Sequence, residues 1–266
     1  MTNHFGKFIN KILSELKPTI FIPTRNRSIF RGSKAKQQNL SPYIILKATK
    51  EDYDHVLKLM HECFYIEEPT CLSLNLNHNT ILDETALKNM AEGITLVARC
   101  KYDGCIVGAC INNTTNPWDP DLKEKLACNV QCTKTKQLLL FQAHVQRFPR
   151  LWNCYDVQKV FEISNVFLKR ELRKTDIMEK LVRESKDLAA DCGYKVVRLD
   201  ATSKNLVELC KKVNMELAAE IPYCMYIGKN NKPVFDPPHP NDSVKIYVDV
   251  DPQIKKVVGN DSSISK

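Results

Sequence analysis

Apolar residues recur in this chain with two periods, and the switches between them mark the elements. Phe5, Phe8, Ile9, Ile12, Leu13 and Leu16 fall on one helical face over residues 4–17, which Pro18 and Pro23 close. Tyr43-Ile-Ile-Leu46 reads as a strand. Thr49-x-x-Asp52 then resembles a capping box ahead of a helical run (Val56, Leu57, Leu59, Met60) reaching about Phe64. A short helix fits Asp83 to Ala91. Strands at Ile94–Cys100 and Cys105–Asn112 form a hairpin across Lys101-Tyr-Asp-Gly104, since Asp-Gly supplies the positive φ a tight turn needs. Helices fit Asp121–Ala127 and Thr135–Arg147. A strand over Lys159–Leu168 leads through Lys169-Arg-Glu-Leu-Arg-Lys-Thr-Asp176 into a helix from Ile177 to Cys192. Then come a strand from Tyr194 to Asp200 and a helix from Ser203. Strands near Glu216–Ile227 and Ser243–Val250, joined by a link rich in proline (Pro233, Pro237, Pro238, Pro240), complete the pattern. Antiparallel strands first and helix-crossed strands later predict a mixed sheet in an α/β or α+β domain.

Composition narrows the reading. The 266 residues are 43% hydrophobic and 26% charged, which is ordinary for a globular protein, and no apolar run approaches a membrane span. The net charge of +8 is concentrated: residues 1–40 carry eight basic residues against one acid, leaving about +1 for the rest. The core therefore has no charge excess suited to nucleic acid. The acid-poor amphipathic start resembles a mitochondrial transit segment or a membrane-surface anchor, beside a default cytoplasmic location. Three regions follow: an extension over 1–40, a compact domain over 41–251, and a polar tail over 252–266. Eleven cysteines lack the paired spacing of a zinc site, because Cys128-x3-Cys132 has no second pair or nearby histidine; reduced thiols in an intracellular compartment are expected.

The turn between Leu168 and Ile177 is the most informative chemical feature. A basic turn between a buried strand and a helix N-terminus suits phosphate, because free N–H groups and the positive end of the helix dipole meet there. Glycine usually allows close approach, yet none occurs between Gly108 and Gly193.

The ordered set of elements and short motifs resembles the GCN5-related N-acetyltransferase (GNAT) fold, and within it the insect arylalkylamine N-acetyltransferase-like branch. The resemblance runs from Tyr43 to Val250. Its carriers are Phe64-Tyr-Ile-Glu-Glu-Pro69, Phe161-Glu-Ile-Ser164, Arg173-x-x-x-Ile177 with Lys180-Leu181, Asp200-Ala-Thr-Ser203 with Lys212-Val-Asn-Met215, Ile221-Pro-Tyr223, Pro233-Val-Phe235 and Pro238-His239. It implies a central sheet of about seven strands, splayed between the fourth and fifth, and transfer of acetyl from acetyl-CoA to a small arylalkylamine. On the matching positions, Val166, Phe167 and Leu168 would meet the pantetheine. Arg173, Lys174, Thr175, Asp176, Ile177 and Met178 would cradle the pyrophosphate. Glu68 would be the general base, and Ser203 would orient or reprotonate the leaving thiolate. Amine-pocket residues would come from loops such as Cys71–Asn79 and Phe148–Tyr155. No metal or nucleic-acid partner is implied for the core.

Two departures from the family pattern bear on activity. Arg173-Lys-Thr-Asp176-Ile-Met178 replaces a glycine-containing turn, and Asp176-x-x-Glu179 reads as a capping box that would occupy the phosphate-binding N–H groups. At about 6 Å from a phosphate, an Asp176 carboxylate would repel it by roughly 3 kcal/mol at an effective dielectric near 20, and Lys174 and Arg173 would return a similar amount. Asn205 and Leu206 stand where the branch shows Tyr-Ser. Cys210 lies near the fold's common tyrosine and is either a thiol acid or a buried structural residue. The alternative to an enzyme is a degenerate member of the fold that serves as a binding module.

Overall fold

The computed structural model describes residues 41–228 and 230–251; expectations placed on 1–40 and 252–266 lie outside the described residues. Seven strands form one open sheet in the order β1-β2-β3-β4-β5-β7-β6. They are β1 Tyr43–Lys47, β2 Leu96–Cys100, β3 Ile106–Thr115, β4 Val160–Leu168, β5 Val196–Ala201, β6 Glu216–Pro222 and β7 Ser243–Val250. Every neighbouring pair is antiparallel except β4 and β5, which run parallel. The expected mixed sheet of seven strands is therefore observed.

Alternation along the strands sends side chains to two opposite cores. On one face, Val97, Ala109, Ile111 and Phe167 pack against α1 (Tyr53–Cys63), α2 (Pro69–Leu74), α3 (Thr80–Met90) and α5 (Thr133–Arg147). On the other, Ala98, Cys110, Val166, Leu168, Val197 and Leu199 meet α7 (Ile177–Asp191) and α8 (Lys204–Lys212). Among the described residues the remaining α-helices are α4 (Asp119–Asn129) and the single turn α6 (Leu151–Cys154). Helix α7 is helical because Ile177, Leu181, Val182, Ser185 and Ala189 form one buried stripe. It stops at Gly193, where φ is +77° and the N–H bonds the Ala190 carbonyl, a conformation that costs any other residue. Truncating Leu181, which is fully buried, would cost about 2–5 kcal/mol.

Boundaries differ from expectation where capping decides them. Helix α3 begins at Thr80 because the Asn79 side chain accepts from the N–H groups of Ile81 and Leu82, both at 3.1 Å. Helix α2 was not anticipated; Pro69 opens it with the φ of a first helical residue. β6 ends at Pro222 rather than near Ile227, since proline cannot continue the ladder. The Thr49–Asp52 box is present: the Asp52 carboxylate accepts from the Thr49 N–H at 2.9 Å and its hydroxyl at 3.1 Å. Among the described residues no helix is long and apolar enough to cross a membrane. All eleven cysteines are free thiols.

Candidate active site

The parallel pair sets the geometry. β4 and β5 are in register only at Phe161 with Val197, Glu162 with Arg198 and Ile163 with Leu199. Beyond Ile163 the two strands separate, and β4 continues to Leu168 paired with β3 alone. A bulge at Ser164, where the β3 partner steps from Asn112 to Ile111, accompanies the divergence. The Lys169 N–H bonds the directly opposite Val107 carbonyl at 2.8 Å. Bonded pairs recur every second residue in an antiparallel ladder. Phe167 therefore faces Ala109, whereas Val166 and Leu168 turn their backbone N–H and C=O groups away from β3, into the gap.

The turn after β4 closes one side of this gap. Arg170–Leu172 form a helical turn, and Thr175 donates its N–H to the Leu172 carbonyl at 2.9 Å. The expected capping box at Asp176 is absent. Its carboxylate instead pairs with Lys180 at 2.8 Å, and Glu179 pairs with Arg183 at 3.0 Å. Each of these pairs spans i to i+4 along the exposed helix face, which draws the acids away from the helix end. Among the described residues no acceptor takes the N–H groups of Asp176, Ile177, Met178 or Glu179. Arg173, expected to reach an anion, forms an ion pair with Glu67. Lys174 and Thr175 are exposed and Ile177 is buried.

The other side of the gap is held by Glu68. Its N–H continues the end of α1 by bonding the Phe64 carbonyl at 2.8 Å, and its side chain caps α2 through the Thr70 N–H at 3.4 Å. Oε1 also accepts from the Thr70 hydroxyl at 2.9 Å. Oε2 accepts from the Thr202 hydroxyl at 2.9 Å, just past the end of β5. Burial pushes this carboxyl above the usual carboxylate range, against the opposing pull of the Thr202 and Thr70 hydrogen bonds. Adjacent glutamates thus straddle the mouth of the split: Glu67 reaches the turn after β4, and Glu68 reaches the residue after β5.

Thr202 and Tyr223 fall within motifs that carry the resemblance, Asp200-Ala-Thr-Ser203 and Ile221-Pro-Tyr223, but had no role assigned; Thr70 was not singled out. Tyr223 donates to the Thr202 carbonyl at 3.2 Å, and its ring joins Phe141, Tyr226 and Phe235 in an aromatic group with Phe141–Phe235 centroids 4.5 Å apart. Arg198, fully buried on β5, holds α5 against the sheet. It bonds both Asp200 oxygens at 2.8 Å and the carbonyls of Val145 and Gln146 at 2.8 and 2.9 Å, where a cation suits the C-terminal end of a helix. The spacing of Arg198 and Asp200 on one strand face was a readable signal.

Ser203 caps α8, its hydroxyl accepting from the Leu206 N–H at 3.3 Å, one residue from the group that holds Glu68. Cys210 is completely buried, and burial pushes its thiol up to about 12, so the structural reading holds. Within the Phe148–Tyr155 loop, Leu151 and Trp152 pack on Val160, Val196 and Val248, at the starts of β4 and β5. Those two residues are thus at the far end of the strands from Glu68.

Solved structures with the same architecture include a mosquito arylalkylamine N-acetyltransferase-like 5b, with a TM-score of 0.75 and 21% identity over 78% of this chain and 99% of that one. The chain has the GCN5-related N-acetyltransferase fold. Arylalkylamine N-acetyltransferase 2 from Aedes aegypti shares this GNAT fold at TM-score 0.74 and 22% identity, over 78% and 98% of the two chains. A Drosophila melanogaster polyamine N-acetyltransferase that forms N-acetylagmatine does so at 0.72 and 18%, over 78% and 99%. No family model matches the sequence, and no curated protein matches it.

Proposed function

We propose that this protein transfers the acetyl group of acetyl-CoA to a small amine of the arylalkylamine kind, with Glu68 as general base. The observation that carries this reading is a buried carboxylate, raised in pKa, at the open mouth of a β4–β5 split whose free strand edge and helix N-terminus suit the co-substrate. The edge at Val166 and Leu168 offers backbone hydrogen bonds to pantetheine. The N–H groups at 176–179, with Lys174 beside them, offer a place for pyrophosphate. An ammonium cannot attack a thioester, so a nearby base must first take a proton, and a carboxylate of raised pKa is better matched to neutral pH. The amine then attacks directly, with no covalent enzyme intermediate. N–H groups near Val166 steady the oxyanion, and the Ser203 hydroxyl orients or protonates the departing thiolate.

The test is calorimetry of acetyl-CoA with the full chain, followed by thiol release across a panel of arylalkylamines and guanidino-amines. Micromolar binding and amine-dependent thiol release are expected; no binding at millimolar acetyl-CoA would overturn the reading. One observation favours a second one, a binding module without transfer: Arg173 is engaged by Glu67 in a turn that has no glycine. Glycine at positions 174 and 176 separates the two, because a gain of acetyl-CoA affinity in an otherwise silent protein supports the module.

A further inference from the structure

Away from the β4–β5 split, two histidines and an aspartate converge between α1 and α3. His61 lies in the last turn of α1, His78 just before the Asn79 cap, and Asp83 in the first turn of α3. His61 Nε2 is 3.0 Å and His78 Nδ1 is 3.4 Å from the same oxygen, Asp83 Oδ2. All three potential ligand atoms fall within 4.8 Å of one another. One hydrogen bond accounts for His61, and a second imidazole nitrogen, that of His78, converges on the same oxygen.

We propose that His61, His78 and Asp83 bind a divalent transition-metal ion of the zinc class. Ligand bonds of about 2.0–2.1 Å in a tetrahedron set ligand atoms about 3.3 Å apart, close to the two separations seen. Two imidazoles and one carboxylate favour zinc over magnesium or calcium, which take oxygen. The supporting layer is in place as well. Asp83 Oδ1 accepts from the hydroxyl of Tyr65, which is itself buried, at 2.8 Å, fixing the carboxylate with Oδ2 toward the histidines. Asn79 ties this corner down, since its side-chain nitrogen bonds Thr135 of α5 at 2.7 Å. His78 is more than half exposed, so the ion has a route in and water can complete the coordination. The bound ion would close residues 61–78 into a loop, and that loop carries Glu68. The proposal does not depend on the acetyltransferase reading.

The experiment is calorimetric titration of zinc chloride into the full, reduced chain, kept reduced with a phosphine that does not chelate. One saturable site is expected, weakened at least tenfold in His78→Ala and in His61→Ala. Tyr65→Phe should weaken it about 10–100-fold through loss of the outer hydrogen bond. Cobalt substitution adds a spectroscopic check, because visible bands without intense thiolate charge transfer identify nitrogen and oxygen ligands. If His61→Ala does not fold, the exposed His78→Ala carries the test alone. Zinc should raise the melting temperature of the wild type and not that of His78→Ala. No saturable binding, equal affinity in His78→Ala, or a signal carried wholly by thiolate bands would overturn the proposal.

Discussion

The two flanks of the β4–β5 split are built on different physics. The turn after β4 presents backbone groups, and its charged side chains pair on the surface, Asp176 with Lys180 and Glu179 with Arg183 along the helix and Arg173 with Glu67 across the gap. The Glu68 flank presents a side chain, held in the interior by hydroxyls from Thr70 and from Thr202. A backbone cradle survives changes of residue type as long as the chain path is kept. A buried carboxylate has no such freedom, because its charge state depends on every neighbour.

The sharpest test of that contrast is Glu68→Ala, which should lower kcat by roughly 10²–10⁴ if the carboxylate is the base; unchanged steady-state turnover would remove it from the mechanism. Next is the scaffold behind it. Arg198→Met strips a buried guanidinium from Asp200 and two helix carbonyls, and should cost about 3–5 kcal/mol in urea unfolding. A third variant, Thr202→Val, removes a hydrogen bond that favours the Glu68 carboxylate. Its folded-state pKa, already raised, should rise further, so the acidic limb of the pH profile of kcat/KM moves to higher pH. The sign for stability follows. A carboxyl of raised pKa binds more protons folded than unfolded, so its contribution is full below the unfolded pKa and is lost as pH rises through the folded one. The smallest effect belongs to the turn. Asp176→Asn should tighten acetyl-CoA less than tenfold in calorimetry, because Lys180 already offsets the charge; a larger gain would mean that the carboxylate guards the site.

The sheet and its flanking helices were legible because inner strands covered on both faces read as short apolar runs, as at Val97, Ala98 and Ala109, Cys110, and because α7 keeps one apolar stripe. The split between β4 and β5 came from resemblance, since no local signal states where two parallel strands part. Glu68 was named through Phe64–Pro69 and Thr202 lies in the Asp200-Ala-Thr-Ser203 motif, but nothing in the sequence says that these two residues, 134 positions apart, meet. The capping box at Asp176 failed because lysine four residues on competes for the same carboxylate. A six-residue helix such as α2 is too short for periodicity to reveal, and only the Glu-Pro step announces it.

Gly108 on β3 carries one last consequence. A methyl group there would come within 2.7 Å of Leu168 Cδ1 and 3.1 Å of the Phe167 carbonyl oxygen, at the very end of β4. Side chains at 173–176 are exposed, whereas a side chain at this strand position would press on Leu168 and on the Phe167 carbonyl, which would have to give way. In a library randomised at 108 and 174, drift should be broader at the turn than at the strand. The tolerance of the protein to mutation would then be set more by packing behind β4 than by the exposed turn.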